Sequence, residues 1–453
     1  MTGRSNVGEF QNNEDGIIAP ESVDDVTQII AGAASDRGIH VFSSGYNWGL
    51  GSSVPLGCRP LSVSMRNLSA IRRIDVDAGW CIVEPGVTQA DLASVLVGTG
   101  RILNVTASSA GTSVLGNALD RGVGLRRHRT EDLLGLEVTL ADGTSHRVGW
   151  WPDIGAGSAP YRHGRGPDLL GLFTQSNLGV VTAGVVALLK KPPATAVVKS
   201  VIDAERTPEV LAAAANALAT GLINAVPKVY SPRARSSYSG TAGTGEAILY
   251  FAVDGQPETI DTLSSFAVAD LGLVPEATTV FTGADSLPLK ADPITALVVR
   301  GYSGDVTAHD ALVEATLGAS PSDVDAHGRG WIFFLPLLPV NDADLLRSAY
   351  AVIDGLGGPD GPAVGATANL ISPDLVDLVV SISFDRATQA AEAHTILTTL
   401  HERFRDLGVV PYRLDAAHPA TPTDPLISAV RDALDPGRRF SAGRYLSDDR
   451  RTR

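Results

Sequence analysis

Two spacings of apolar positions alternate along the chain. Ile17-Ile18-Ala19 reads as a short strand, and Val23, Val26, Ile29, Ile30 and Ala33 then recur at helical spacing in a segment that ends at Gly38. Residues 39–42 follow as a strand. The runs 71–76 and 80–84 flank Asp77-Ala78-Gly79, which predicts a hairpin with glycine at a positive φ. Thr88 and Asp91 stand at capping-box spacing ahead of Leu92, Val95 and Leu96, so a helix starts there. Residues 134–140 read as a strand closed by Ala141-Asp142-Gly143-Thr144, and the apolar stretch 178–189 ends at Lys190-Lys191-Pro192-Pro193. Proline fixes φ and donates no hydrogen bond, so the double proline marks a domain boundary. The Gly-, Pro- and Arg-rich stretch 149–171 predicts a loop.

Beyond the prolines, helical stretches at 208–218, 341–353 and 387–404 alternate with strand-like runs at 247–253, 331–335 and 378–384, the pattern of a second α+β domain. Residues 278–293 and 355–365 read as loops. A final helix at 425–434 leads to Asp435-Pro436-Gly437 and an Arg-rich tail. The chain therefore divides into 1–193, 194–424 and 425–453.

The 453 residues suffice for two large domains or three of about 150 residues each. Hydrophobic residues at 44% and charged residues at 19% suit packed cores and exclude wholesale disorder. The 36 Lys plus Arg against 50 Asp plus Glu give a net charge of -14, a field that opposes nucleic acid and anionic membrane and favours small-molecule work. Cys58 and Cys81 form no CxxC pair, which excludes a disulfide framework and fits a reducing, cytoplasmic setting. The first ten residues lack an apolar signal core, and 178–189 is too short and Gly-broken to span a bilayer, so a soluble protein is expected.

Candidate chemistry concentrates in two glycine-rich, polar turns. The first runs Ser43-Ser44-Gly45-Tyr46-Asn47-Trp48-Gly49-Leu50, and the second contains Gly111, Thr112, Ser113, Gly116, Asn117, Asp120, Gly122 and Gly124. Glycine lets backbone N–H groups turn inward, while Ser, Thr and Asn add short neutral donors; such turns hold a pyrophosphate without clustered Lys or Arg. A bound dinucleotide is the expectation. Gly122-Val123-Gly124 lacks the third glycine of GxGxxG, at Arg127, and no GxxxxGK[ST] occurs, so neither of those nucleotide fingerprints applies.

Taken in order, Ser44-Gly45-Tyr46-Asn47-Trp48-Gly49, Val83-Glu84-Pro85-Gly86-Val87-Thr88, the run 113–124, Leu136-Glu137-Val138, Ala141-Asp142-Gly143 and Phe173-Thr174-Gln175-Ser176-Asn177-Leu178-Gly179 resemble the vanillyl-alcohol oxidase and p-cresol methylhydroxylase family of FAD flavoproteins, on its 4-phenol-oxidase side. The likeness spans about residues 17–193 and returns at Pro411-Tyr412-Arg413 and over 434–445. It implies an α+β fold: a PCMH-type FAD-binding domain of two α+β subdomains, a cap domain with a mainly antiparallel sheet over the substrate, and a C-terminal segment returning to the FAD domain. It further implies FAD held by the residues of the two turns, by Pro85, Gly86, Asn177, Gly179 and Val180, and by Arg444. The implied reaction takes a hydride from a small organic alcohol, phenol-like compound or hydroxy acid, with reoxidation by molecular oxygen or another acceptor. Family habit also allows a homodimer.

The resemblance places Tyr412 and Arg413 as the catalytic pair that orients substrate and stabilises its charge. Leu50 stands where the family's third phenolate-binding group, a Tyr, is expected, so the phenolate clamp is incomplete. Arg413 is also suited to a bidentate carboxylate clamp, as in a 2-hydroxy-acid dehydrogenase of the same superfamily. A non-redox flavin-binding scaffold is the third reading. Tyr46, and Asp377 or Leu378, occupy the places of the family's flavin-linking His, which predicts noncovalent FAD. His309, His327 and His394 match no linking motif. Arg126-Arg127-His128-Arg129 reads as a solvated charge run or, failing that, a phosphate or catalytic cluster; the resemblance puts Glu131 and Asp132 near the family's catalytic Asp, with a structural cap as the alternative; His163 reads as exposed or at the flavin edge, and Trp150-Trp151 as core.

Overall fold

A parallel sheet of Ile17–Ile18, Leu61–Ser64 and Ile39–Phe42, in that spatial order, begins the fold in the computed structural model. The structure describes residues 4–33, 37–56, 60–153, 159–164, 166–239, 245–283, 286–288, 291–418 and 424–446. Ser22 caps the helix Val23–Gly32, its hydroxyl accepting from Asp25 N at 3.1 Å. That helix buries Val26 and Ile30 with Ile39, Leu61 and Val63 of the sheet.

The second sheet is antiparallel, with strands in the order Ile71–Asp75, Trp80–Val83, Val180–Ala187, Leu133–Thr139 and Ser145–Gly149. Its two hairpins turn where the sequence indicates, at Gly79 (φ 80°) and Gly143 (φ 83°). Thr88 and Asp91 form both bonds of the capping box that starts the helix Gln89–Leu96. Trp150 and Trp151 pack in a core with Trp80, as expected of large aromatics.

The third sheet has eight strands in the order Thr278–Phe281, Ala194–Asp203, Glu246–Gly255, Lys228–Tyr230, Ala363–Ser372, Leu375–Phe384, Gly330–Pro339 and Pro411–Arg413, all paired antiparallel. Strand periodicity splits its faces. Val229, Leu249 and Phe251 pack with Leu211, Leu346 and Phe404 from the helices Thr207–Ala219, Ala343–Asp354 and Ala390–Asp406. Tyr230, Ile248 and Tyr250 share the other core with Val114, Leu115 and Leu136 of the N-terminal part. That face therefore looks toward the glycine turns.

Several details depart from or complete the sequence reading. Residues 278–281, expected in a loop, form an edge strand along Ala194–Asp203, and Ala363–Ser372 begins inside the expected loop 355–365. The run 126–129 is not a freely solvated charge run: Arg126 pairs with Asp254 at 2.5 Å, the partly exposed Arg127 with Asp132 at 2.8 Å, and the buried Arg129 with Asp132 at 3.1 Å. Asp132 is fully buried among these partners and Asn104, which makes its role structural. After the helix Pro425–Leu434 the tail returns to the parallel sheet, where Ile39 N donates to Arg439 O and Ser441 N to Ile39 O, both at 2.7 Å. His163 is exposed beside Asp168, while Cys58, Arg165 and 154–158 lie outside the described residues.

Candidate functional site

A cavity runs between the glycine turns and the cap sheet. From the first turn it is lined by Ser43, Ser44, Gly45, Tyr46, Asn47 and Trp48, and from the second by Thr112, Ser113, Gly116, Asn117 and Asp120. Pro85, Asn177, Gly179, Val180 and Arg444 complete that wall, while Tyr412 and Arg413 lie in the cap wall. Gly49, Leu50, Gly86, Gly111, Gly122 and Gly124 are not among the lining residues. Two of these glycines answer to the chain itself: a Cβ on Gly86 would lie 2.2 Å from Arg66 O, and one on Gly122 would lie 2.3 Å from Asn117 Oδ1.

Local hydrogen bonds hold the two turns together. Ser113 caps the short helix Val114–Leu119, its hydroxyl accepting from Gly116 N at 2.9 Å and donating to Pro85 O at 2.6 Å. Ser44 Oγ accepts from Ser113 N at 3.1 Å. Arg444 is buried and spends its guanidinium on Gly51 O at 2.8 Å and Leu50 O at 3.2 Å, fixing the end of the first turn. His40 lines the same wall; burial, followed by the nearby Arg444 charge, lowers its pKa to about 3, so its ring is neutral. Its Nε2 then donates to Ser52 O at 3.0 Å.

Asp120 is the electrostatic junction of the site. It accepts from Asn47 of the first turn, from Arg413 of the cap at 2.5 Å and from Tyr445 of the tail at 3.1 Å. Gln175, held at φ 47°, donates from Nε2 to Tyr412 O at 2.9 Å. Arg413 reaches this place because the strand Pro411–Arg413 pairs it with Leu335. Burial pushes the Tyr412 hydroxyl well above the usual phenol range, so it stays neutral.

The cap wall contains residues that sequence reading had not grouped. Tyr230, Tyr238, Trp331 and Phe333 line the cavity as a chain of edge-to-face rings with centroids 6.1, 6.1 and 4.5 Å apart. Beside them stand Lys228, Thr367, Asn369 and Asp377. Asp377, noted only as a stand-in for a linking His, is buried, and that burial raises its pKa to about 6. His309 also lines the cavity and is kept neutral by burial, with a pKa lowered to about 4. His394 instead bonds Gly8 O, at 2.9 Å. Alternating apolar and polar residues in the cap strands were the signal for this wall; which strands adjoin is not written in it.

The residues present fit FAD. Asn117 Oδ1 and Asn177 Oδ1 are buried acceptors without a protein partner, and both residues line the cavity on the glycine-turn side. A dinucleotide with ring N–H and hydroxyl groups supplies such partners.

Comparison with known proteins agrees with this geometry. Residues 15–149 match the FAD binding domain family. The 1'-carboxy-chondrochloren decarboxylase of Chondromyces crocatus is 36% identical over 183 residues, 39% of this chain and 34% of that protein. The 4-cresol dehydrogenase (hydroxylating) flavoprotein subunit of Pseudomonas putida is 32% identical over 160 residues, 34% of this chain and 31% of that one. The matched part thus spans about a third of these curated relatives. A solved structure of p-cresol methylhydroxylase with substrate bound superposes with a TM-score of 0.81 at 20% identity, covering 99% of this chain and 92% of that one. No helix among the described residues is long and apolar enough to cross a membrane. The chain thus contains an FAD-binding domain and has the p-cresol methylhydroxylase fold.

Proposed function

We propose that this protein is an FAD-dependent oxidoreductase that takes a hydride from a small organic donor, an alcohol or phenol-like compound. One observation carries the reading: a single cavity is lined on one side by Ser43–Trp48 and Ser113–Asp120 residues of the turns, and on the other by the aromatic cap wall with Tyr412 and Arg413. Bound there, the flavin supplies the hydride acceptor. The protein's share is to place the donor carbon, exclude water and balance charge. The buried hydroxyl of Tyr412 donates to a substrate oxygen, and its neighbour Arg413 stabilises the charge that develops there.

Arg413 favours this donor class over a 2-hydroxy acid. Its charge is already balanced by Asp120 at 2.5 Å, so a substrate carboxylate would compete with an internal one. FAD is held noncovalently in this reading: the cap-strand residues lining the cavity, among them Lys228, Thr367, Asn369, Asp377, Tyr412 and Arg413, include no histidine. Molecular oxygen or another acceptor closes the cycle. The division at 193 and 424, a cytoplasmic setting suited to a chain with only two cysteines, and a homodimer belong to the same reading.

The test is the visible spectrum of purified protein before and after acid precipitation, then anaerobic mixing with a panel of benzylic alcohols, phenols and 2-hydroxy acids. A yellow supernatant and bleaching by the first two classes are expected. A colourless protein that binds no added FAD overturns the reading; bleaching by hydroxy acids alone replaces it with the dehydrogenase alternative.

A further inference from the structure

Three neighbouring cap strands bring three polar residues into one row across the sheet. Strand register pairs Lys228 with Asn369, and Asn369 with Asp377. Their side chains are joined in the same order: Lys228 Nζ donates to Asn369 Oδ1, and Asn369 Nδ2 donates to Asp377 Oδ2 at 3.2 Å. All three are buried and all three line the cavity. Asp377 Oδ1 has no hydrogen-bond partner. A buried carboxylate oxygen without a partner is costly, and here it stands in the wall where substrate must lie.

Resting on the flavoenzyme reading above, we propose that Asp377 is the proton acceptor of this site and that Asn369 and Lys228 are positioning residues that hold its carboxylate. In the step, the substrate O–H bond breaks and its proton passes to Asp377 Oδ1. The electron pair left on oxygen forms the C=O bond. The adjoining C–H bond breaks with its pair, which leaves as hydride to the oxidised flavin. The substrate is thereby oxidised by two electrons and the flavin reduced by two. Asn369 is a suitable link because its amide accepts from a cation on one side and donates to a carboxylate on the other.

The surroundings give Asp377 a proton affinity suited to the task. Burial raises its pKa to about 6, against the opposing pull of the Asn369 hydrogen bond, Arg413 and Lys228. Lys228 is itself lowered to about 8 by burial, with Asp377 opposing. The charged and titratable groups facing Asp377 are thus Lys228 on one strand and Tyr412 and Arg413 on another, with Asp120 behind Arg413. A base near neutrality combines the correct protonation state with driving force.

The test compares wild type with Asp377→Asn, Asp377→Glu and Lys228→Met, flavin content being read from visible absorbance. Infrared spectra from about pH 4 to about pH 8 are expected to hold a protonated-carboxyl band that Asp377→Asn lacks and that Lys228→Met shifts to higher pH, since removing the cation disfavours the charged form. 4-Hydroxybenzyl alcohol, mixed anaerobically, is expected to bleach the flavin of Asp377→Asn about 10²- to 10⁴-fold more slowly than wild type at equal flavin content. Asp377→Glu recovers part of that rate, and Lys228→Met moves its acid limb upward. Bleaching of Asp377→Asn within about twofold of wild type, or an infrared band indifferent to Lys228→Met, overturns the proposal. Should no flavin bind or no protein bleach, the flavoenzyme reading fails for that donor, and the infrared titration alone decides whether Asp377 exchanges a proton under the control of Lys228.

Discussion

Asp120→Asn tests whether one carboxylate locks three distant parts of the chain around the cavity. Asn47, Arg413 and Tyr445 all donate to Asp120, and the Arg413 and Asp120 side chains are only 10% and 15% exposed. Removing one partner of a buried ion pair costs about 3–5 kcal/mol, chiefly because the other charge is left without compensation. The residual exposure argues for the lower end, about 3 kcal/mol. With an unfolding entropy of about 2.1 cal/mol/K per residue, the 453 residues convert that into a Tm loss of about 3 °C. Arg413→Met leaves Asp120 uncompensated in turn, so it costs a similar amount. The double variant removes both charges, and a coupling of about 2 kcal/mol is expected between the two sites. The assay is urea unfolding followed by tryptophan fluorescence on flavin-free protein, so that altered cofactor binding does not enter the balance. Losses that add to within about 0.5 kcal/mol would show that Asp120 and Arg413 act independently, and the proposed junction would fall.

Other expectations follow from burial and close packing. Asp377 has a folded pKa of about 6 against about 3.9 when unfolded. The native state therefore holds the proton more tightly, and the stability this gives fades as pH rises from about 4 to about 6. Asp377→Asn should gain up to about 3 kcal/mol relative to wild type between those limits, read by urea unfolding at about pH 4 and about pH 7; a pH-independent difference refutes it. Asp415 is the opposite case: burial would raise it, but hydrogen bonds from His401 at 2.8 Å and His418 at 3.0 Å hold its carboxyl well below the usual range. Its contribution is present above the unfolded pKa and lost as pH falls through the folded one, so Asp415→Asn should cost about 2 kcal/mol near pH 6 in thermal melts, with the gap closing only below about pH 4. Gly86→Ala would set a methyl 2.2 Å from Arg66 O and 2.7 Å from Leu68 O. Both are backbone atoms, so a loss of about 2–3 kcal/mol is expected in urea unfolding, and a neutral effect would show that the turn yields.

Local rules served this chain where partners are near in sequence. The hairpin at Gly79, the capping box at Thr88 and the helix Pro425–Leu434 each depend on a few adjacent residues, and each forms as the sequence indicates. The same local view misjudged Arg126-Arg127-His128-Arg129, because a charge run is solvated only when no distant carboxylate meets it. Asp254 lies 128 residues from Arg126, and the burial of Arg129 with Asp132 is set by packing. The row Lys228–Asn369–Asp377 was hidden for the same reason: its first link joins residues 141 apart, and only strand order places them side by side. Thr278–Phe281 escapes the local view although Thr, Val and Phe all favour strand; four residues are too few to stand out as an element until Ala194–Asp203 pairs with them.

Glycine is the more instructive case, because a glycine-rich turn reports close approach without naming what approaches. At Gly116 the neighbour is Ser43, within the cavity wall; at Gly86 it is the carbonyl of Arg66, outside it. Motif residues of one apparent kind therefore divide into those that border the cofactor's space and those that let the backbone pack tightly enough to create it. The division follows from three-dimensional proximity alone, and it predicts different consequences for substitution: altered flavin affinity at the first, lost stability with affinity retained in the folded fraction at the second.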